Sequence, residues 1–243
     1  MQMARASGMA FGAFFSVLDP VRAVDSGSAS AMNATLRPAI LRIQALNFAY
    51  DRQPALVSDW STQIDAGVTL LHGDTGSGKS TLLRLLAGAL PTTGRLTLAG
   101  VRLDTNAAAY RRQVFFCDPA IDAFDQRSAR DTTALLGAGD TQFNPDRWQG
   151  LVEGFALTPH LDKPMYMLST GSKRKVWLAA ALASGRALVL LDEPTGGLDT
   201  ASIGCLWGEL MRCAEKPERA IVVASAERVE RVALAGLIKL PLS

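Results

Sequence analysis

The sequence predicts an α/β fold, a core sheet with a helical insertion, and three observations carry that prediction. The short apolar runs VTLLH (68–72), ALVLLD (187–192) and AIVVA (220–224) read as strands, and the fully apolar ALVLLD as a buried one of a parallel sheet. Strand and helix signals alternate at both ends of the chain. Between them, residues 119–185 read as mostly helical, with segments near 128–137, 145–157 and 170–184 set apart by Gly and Pro.

Taken in order, ILRIQALNFAY (40–50) contains the period-2 stretch Leu41, Ile43, Ala45, with Arg42 and Gln44 turned the other way, so it is expected to be a half-buried strand. STQID (61–65) and VTLLH flank a turn at Ala66 and Gly67. RLTLAG (95–100) and VFFC (114–117) are expected as further strands, and GLIKL (236–240) as the last. A helix near 201–214 separates ALVLLD from AIVVA.

Residues 1–39 stand outside this pattern and are expected to form an N-terminal extension to a domain spanning 40–243. Arg5, an apolar stretch and the small-residue run SGSASA imitate a secretory signal. That reading is set aside on the chemistry of residues 73–81, given below. Two alternatives stay open: a mobile tail, or an upstream translation start with Met32 as the true one.

A chain of 243 residues that is 48% hydrophobic and 20% charged can bury a substantial core without staples. Its net charge of +2 supplies little long-range field, so no nucleic-acid partner is expected and any anion site must be local. Cys117, Cys205 and Cys213 lack paired metal-ligand spacing and are expected as small buried hydrophobes in a reducing compartment. No apolar stretch approaches the ~20 residues that span a bilayer.

The chemistry concentrates in three stretches. GDTGSGKST, residues 73–81, fits G-x-x-x-x-G-K-[ST] between an apolar strand and the helix TLLRLLAGAL, the context of a phosphate-binding loop. Gly73, Gly76 and Gly78 let the backbone, with Asp74, Thr75, Ser77 and Thr81, curl so that N–H groups face phosphate oxygens at a helix N-terminus. Lys79 would reach the β- and γ-phosphates of ATP, and the Ser80 hydroxyl would bind Mg²⁺. ALVLLDEP ends a buried strand in two carboxylates that alternation sends different ways. Asp192 is expected to face Mg²⁺ and Glu193 the water that attacks the γ-phosphate. In MLSTGSKRKVWLAAALA (167–183), Ser169 or Thr170 can cap a helix whose first turns carry Lys173, Arg174 and Lys175, three cations set against the helix dipole. A phosphate arriving there would reverse the sign of that interaction.

The ordered set GDTGSGKST, LSTGSKRK, LVLLDEP and GGLD (196–199) resembles the ATP-binding-cassette ATPases, from about residue 40 to the end. The resemblance implies a phosphate-loop core, an antiparallel β-subdomain and a helical subdomain over about 118–185. It implies an ATPase working as a head-to-tail dimer, with Ser169 and Gly171 touching the γ-phosphate held by the partner's loop. Tyr50 is similar to the aromatic that stacks on adenine, and Leu198 and Asp199 to the loop joining the two sites. Two positions depart from the family pattern: Asp118 stands where a glutamine is usual, with Gln126 as a distant stand-in, and Ser225 stands where a histidine is usual. A serine's shorter, uncharged side chain predicts slow hydrolysis in isolation. The function implied is the motor subunit of a transporter, peripheral on the cytoplasmic face of the membrane, with a separate integral-membrane permease received near 118–130. The short C-terminal end is more similar to exporter-type cassettes. The alternative is a nucleotide-gated regulatory clamp with little hydrolysis.

Overall fold

The computed structural model describes residues 37–116 and 123–242; the N-terminal extension up to residue 36, Cys117 and Asp118 lie outside the described residues. The site is positioned by a parallel sheet of five strands in the order β6–β7–β8–β3–β9. These are β3 (Gly67–His72), β6 (Val114–Phe116), β7 (Leu188–Asp192), β8 (Ala220–Ser225) and β9 (Leu234–Lys239). Because side chains alternate along a strand, the central strands serve two cores at once. Val68, Leu70, Val189, Leu191, Ile221 and Val223 join one. Leu71, Leu188, Leu190, Ala220, Val222 and Ala224 join the other.

The first core is completed by α4 (Pro145–Gly154), α5 (Thr170–Ala183) and α6 (Thr200–Glu215), which contribute Leu151, Leu182 and Leu206 among others. The second is completed by α1 (Lys79–Leu86) and by an antiparallel sheet in the order β2–β1–β4–β5. That sheet comprises β1 (Ala39–Phe48), β2 (Val57–Asp65), β4 (Thr93–Leu98) and β5 (Val101–Arg102). Each amphipathic layer therefore buries its apolar face against the one central sheet. Between β6 and α4 lies α3 (Ala129–Leu136), whose first turn is capped by the Ser128 hydroxyl accepting from the Asp131 N–H. The four α5-side helical segments expected from sequence thus stand at 129–136, 145–154, 170–183 and 200–215.

The sequence misleads in three places. In β1 the inward alternation does not pass through Ala45, which is exposed; Leu46 takes the buried position instead. A β-bulge shifts the register between Ile43 and Leu46, with Ala45 at φ 49°. Opposite it, a Cβ on Gly94 would lie 2.3 Å from the Ala45 carbonyl oxygen, so the bulge needs that glycine. RLTLAG is not strand throughout, because Ala99 and Gly100 form the left-handed turn into β5. The short α2 (Ala107–Arg112), which the sequence reading lacks, carries no clear apolar period and starts at the Asn106 side chain accepting from the Ala109 N–H.

Helix α2 is held by one buried group. Tyr110, fully buried, donates its hydroxyl to the Leu86 carbonyl at the C-terminal end of α1 over 2.8 Å, and burial pushes its phenol well above the usual range. Replacing Tyr110 with Phe strands that carbonyl, so chemical denaturation should report a loss of about 1–2 kcal/mol.

Candidate functional site

The parallel register sets the ends of three strands side by side. His72 pairs with Ser225 and Asp192 with Ala224, so the loop after β3 meets the loops after β7 and β8 at the carboxyl edge of the sheet. The loop turns at Gly76 (φ 82°) and Gly78 (φ 98°), conformations that favour glycine. Gly78 is also the N-cap of α1, and no side chain caps that end. The first-turn N–H groups of α1 are left for an anion. A Cβ on Gly76 would meet nothing within 4 Å, so the outer side of the loop is open.

Lys79 is 6% exposed, and an ammonium so buried requires oxygen partners. It donates to the carbonyl oxygens of Gly73 (2.7 Å) and Asp74 (3.0 Å) and pairs with Glu193 Oε1 at 3.2 Å. The lysine therefore ties its own loop to the end of β7. Its position in the first turn of α1 aims the side chain back along the helix toward that loop.

The two carboxylates at the end of β7 do part company. Asp192 shares the face of Leu188 and Leu190, toward α1, and its Oδ1 is buried without a hydrogen-bond partner among the described residues. Glu193 has φ 40°, a left-handed conformation uncommon for a side-chain-bearing residue. Its N–H donates to the Ala224 carbonyl, its Oε1 accepts from the Ala226 N–H at 3.0 Å, and its side chain stays 43% exposed. Thr75, Lys79, Ser80, Asp192, Glu193 and Glu227 all line one cleft of about 550 Å³, within the usual range for a small-molecule site. The buried orphan oxygen of Asp192, sharing that cleft with the Ser80 hydroxyl, fits a hard divalent cation such as Mg²⁺.

Tyr50 is 42% exposed, which excludes a core role. Its ring stands edge-on to Phe48 (4.9 Å between centroids), and its hydroxyl lies 3.0 Å from Thr81 Oγ1 in α1. An aromatic face is thus presented beside the loop, with its polar tip anchored.

Ser169 and Gly171 do not line the cleft. Ser169 caps α5, accepting from the Ser172 N–H at 3.1 Å. A Cβ on Gly171 would lie 2.3 Å from the Gly197 carbonyl oxygen, so the start of α5 is packed against the turn after β7. The three cations that follow, for which sequence offered no intrachain reason, all have partners within the chain. Lys173 pairs with Asp125 at 2.6 Å and Lys175 with Asp199 at 2.5 Å. Arg174 Nη1 donates to the carbonyl oxygens of Glu193 (2.9 Å) and Gly196 (2.5 Å). Asp199 in turn caps α6 through the Ser202 N–H, and Lys175 with Ser202 holds its carboxyl well below the usual range. Leu198 is partly buried against the first core.

Ser225 is buried, and its hydroxyl accepts from the Glu227 N–H at 3.0 Å; Ala226 and Glu227 line the cleft in its place. Gln126 is exposed in the turn before α3. Sequence reasoning missed Ala226, which works through its main-chain N–H and so leaves no side-chain signal, and Arg174, whose visible clue was an unfavourable charge at a helix start. Cys213 is buried and Cys205 half-buried.

The ABC transporter family model matches residues 57–196. The chain is 43% identical over 146 residues to the cytochrome c biogenesis ATP-binding export protein CcmA of Rhodospirillum rubrum, covering 58% of this chain and 60% of that protein. It is 34% identical over 164 residues to the CcmA of Pseudomonas aeruginosa, covering 65% and 79%. The chain thus spans 60% of the Rhodospirillum relative's length. A solved structure described as the ATP binding subunit of an ABC transporter superposes with a TM-score of 0.67 at 23% identity, covering 76% of this chain and 79% of that one, a likeness of fold.

The contact of Gly171 with Gly197 makes a prediction opposite in sign to helix propensity. Ala at a helical position normally stabilises by about 1 kcal/mol over Gly. Gly171→Ala should instead destabilise by about 1–3 kcal/mol, because the neighbour it meets is backbone; urea unfolding of the two proteins decides the sign.

Proposed function

The chain belongs to the ABC transporter family, and we propose that it is the ATP-binding and ATP-hydrolysing subunit of a transporter whose permease is a separate chain. The observation that carries this reading is the single cleft holding a buried lysine, an orphaned carboxylate oxygen and a tethered glutamate beside an uncapped helix start. No described helix is long and apolar enough to cross a membrane, so transport would need a partner that does. The subunit would then sit on the cytoplasmic face of the membrane as a peripheral component. The relatives named as export proteins favour an exporter-type assembly.

In this reading the triphosphate accepts from the loop N–H groups of residues 74–81, and Tyr50 offers its ring to the adenine. Lys79 exchanges the carbonyls of Gly73 and Asp74 for phosphate oxygens, a stronger charge-assisted pairing. Ser80 and Asp192 would hold Mg²⁺, which when bound neutralises charge on the phosphate oxygens. Glu193, released from Lys79 but kept in place by the Ala226 N–H, orients the attacking water and accepts its proton. The position of Ser169 and Gly171 outside the cleft fits a site completed by a second copy of this chain or a related subunit, whose α5 start would face the γ-phosphate.

A second reading, a nucleotide-gated clamp with little hydrolysis, is favoured by Ser225. Its hydroxyl accepts from the Glu227 N–H outside the cleft, and Ala226, which lines the cleft instead, has no side-chain donor for the transition state. Losing one such donor typically slows turnover by ~10²- to 10³-fold.

Two variants separate these outcomes. Glu193→Gln should lower phosphate release at least ~100-fold while calorimetry finds MgATP affinity within a few-fold, since the amide binds but accepts no proton. Ala226→His, which puts an imidazole on the residue of this strand end that lines the cleft, should raise turnover of the purified chain about tenfold or more; no gain would place the cause of slow turnover elsewhere.

A further inference from the structure

Arg174 lies outside the cleft and has no part in the chemistry proposed above, yet its guanidinium sits on the turn after β7. One nitrogen, Nη1, reaches both ends of that turn, the carbonyl oxygens of Glu193 at 2.9 Å and Gly196 at 2.5 Å. Within the turn the Gly196 N–H donates to the Glu193 carbonyl and the Leu198 N–H to that of Thr195, while the Glu193 N–H is held by the Ala224 carbonyl. At its head stands Glu193 in a left-handed conformation that no neighbouring glycine relieves. Space is reserved for the guanidinium: a Cβ on Gly196 would fall 2.3 Å from Arg174 Nη1. Gly196 does not have a left-handed φ, so its lack of a side chain answers to the arginine rather than to the backbone.

From this geometry we propose that Arg174 is a positioning residue for Glu193, a strut from the first turns of α5 that fixes the glutamate's backbone and hence the direction of its carboxylate. The inference rests on the reading of Glu193 as the group that orients water. Two neighbouring contacts make the strut a rigid one. Gly171 packs its backbone on the Gly197 carbonyl, and Lys175 holds Asp199, so α5 grips the turn before, at and after Arg174. A displacement of the α5 start is thereby transmitted to the carboxylate within one chain, through two hydrogen bonds to main-chain oxygens. A planar guanidinium suits this task because its donors are fixed relative to each other, whereas an ammonium's are not.

The test uses the full chain and reads both turnover and structure. Arg174→Ala should lower kcat for MgATP about tenfold or more with KM within about twofold, the split expected when orientation and not binding is lost. Arg174→Lys should recover part of that loss. Gly196→Ala, which expels the guanidinium, should lower kcat comparably, and the double variant should be no slower than the slower single one. In the nucleotide-free protein, amide hydrogen exchange at Ala226, whose N–H is held by Glu193 Oε1, should accelerate several-fold in Arg174→Ala while amides of the α5 interior keep their rates. Unchanged kcat in Arg174→Ala, additive losses in the double variant, or unchanged exchange at Ala226 would each overturn the proposal. A wild-type chain without ATP turnover would count against the reading of Glu193, and the exchange at Ala226 would still decide whether Arg174 is the strut.

Discussion

A buried ammonium must be answered by oxygen, and the oxygens that answer Lys79 come from two separate strand ends: the carbonyls of Gly73 and Asp74 after β3, and the carboxylate of Glu193 after β7. That requirement ties the geometry of the site to the topology of the sheet. The parallel order β7–β8–β3 brings those ends to one edge. The register His72 to Ser225 and Asp192 to Ala224 then fixes their relative height. The apolar alternation of the same strands divides two cores between α4–α6 and α1 with the antiparallel sheet, so the stability of the fold and the placement of the site follow from one set of residues.

The same economy governs the charges around α5. Three cations at a helix start oppose the helix dipole by some tenths of a kcal/mol each. Here Asp125, the β7 turn and Asp199 offset that cost, and each contact joins α5 to a different part of the neighbouring structure. The helix is consequently fastened to the turn that carries Glu193 and to the cap of α6. What reads in isolation as an electrostatic fault is a set of ties between the helical insertion and the carboxylate edge of the sheet.

Much of this was legible in the sequence because the physics was local. The apolar runs gave buried strands, the glycines of GDTGSGKST gave a loop with an open outer side, and DEP gave two carboxylates turned in different directions. What could not be read depended on contacts distant in sequence. The bulge at Ala45 is decided by Gly94 on another strand. The partners of Lys173, Arg174 and Lys175 lie 24 to 48 residues away or act through main-chain oxygens. The Ala226 N–H that steadies Glu193 has no residue-type signature at all. Nor does sequence show the exposure of Tyr50 or its hydroxyl contact with Thr81, which together mark a presented ring.

The central claim is that the cleft binds MgATP through the oxygens' exchange at Lys79. Titration calorimetry of the purified chain with MgATP, beside Lys79→Ala, tests it most directly. The account predicts one binding event in the natural chain and an affinity at least about 30-fold weaker in the variant, the loss of roughly 2 kcal/mol expected when a charged hydrogen-bond donor to phosphate is removed. Equal affinities in the two proteins, or no binding to the natural chain, would contradict it.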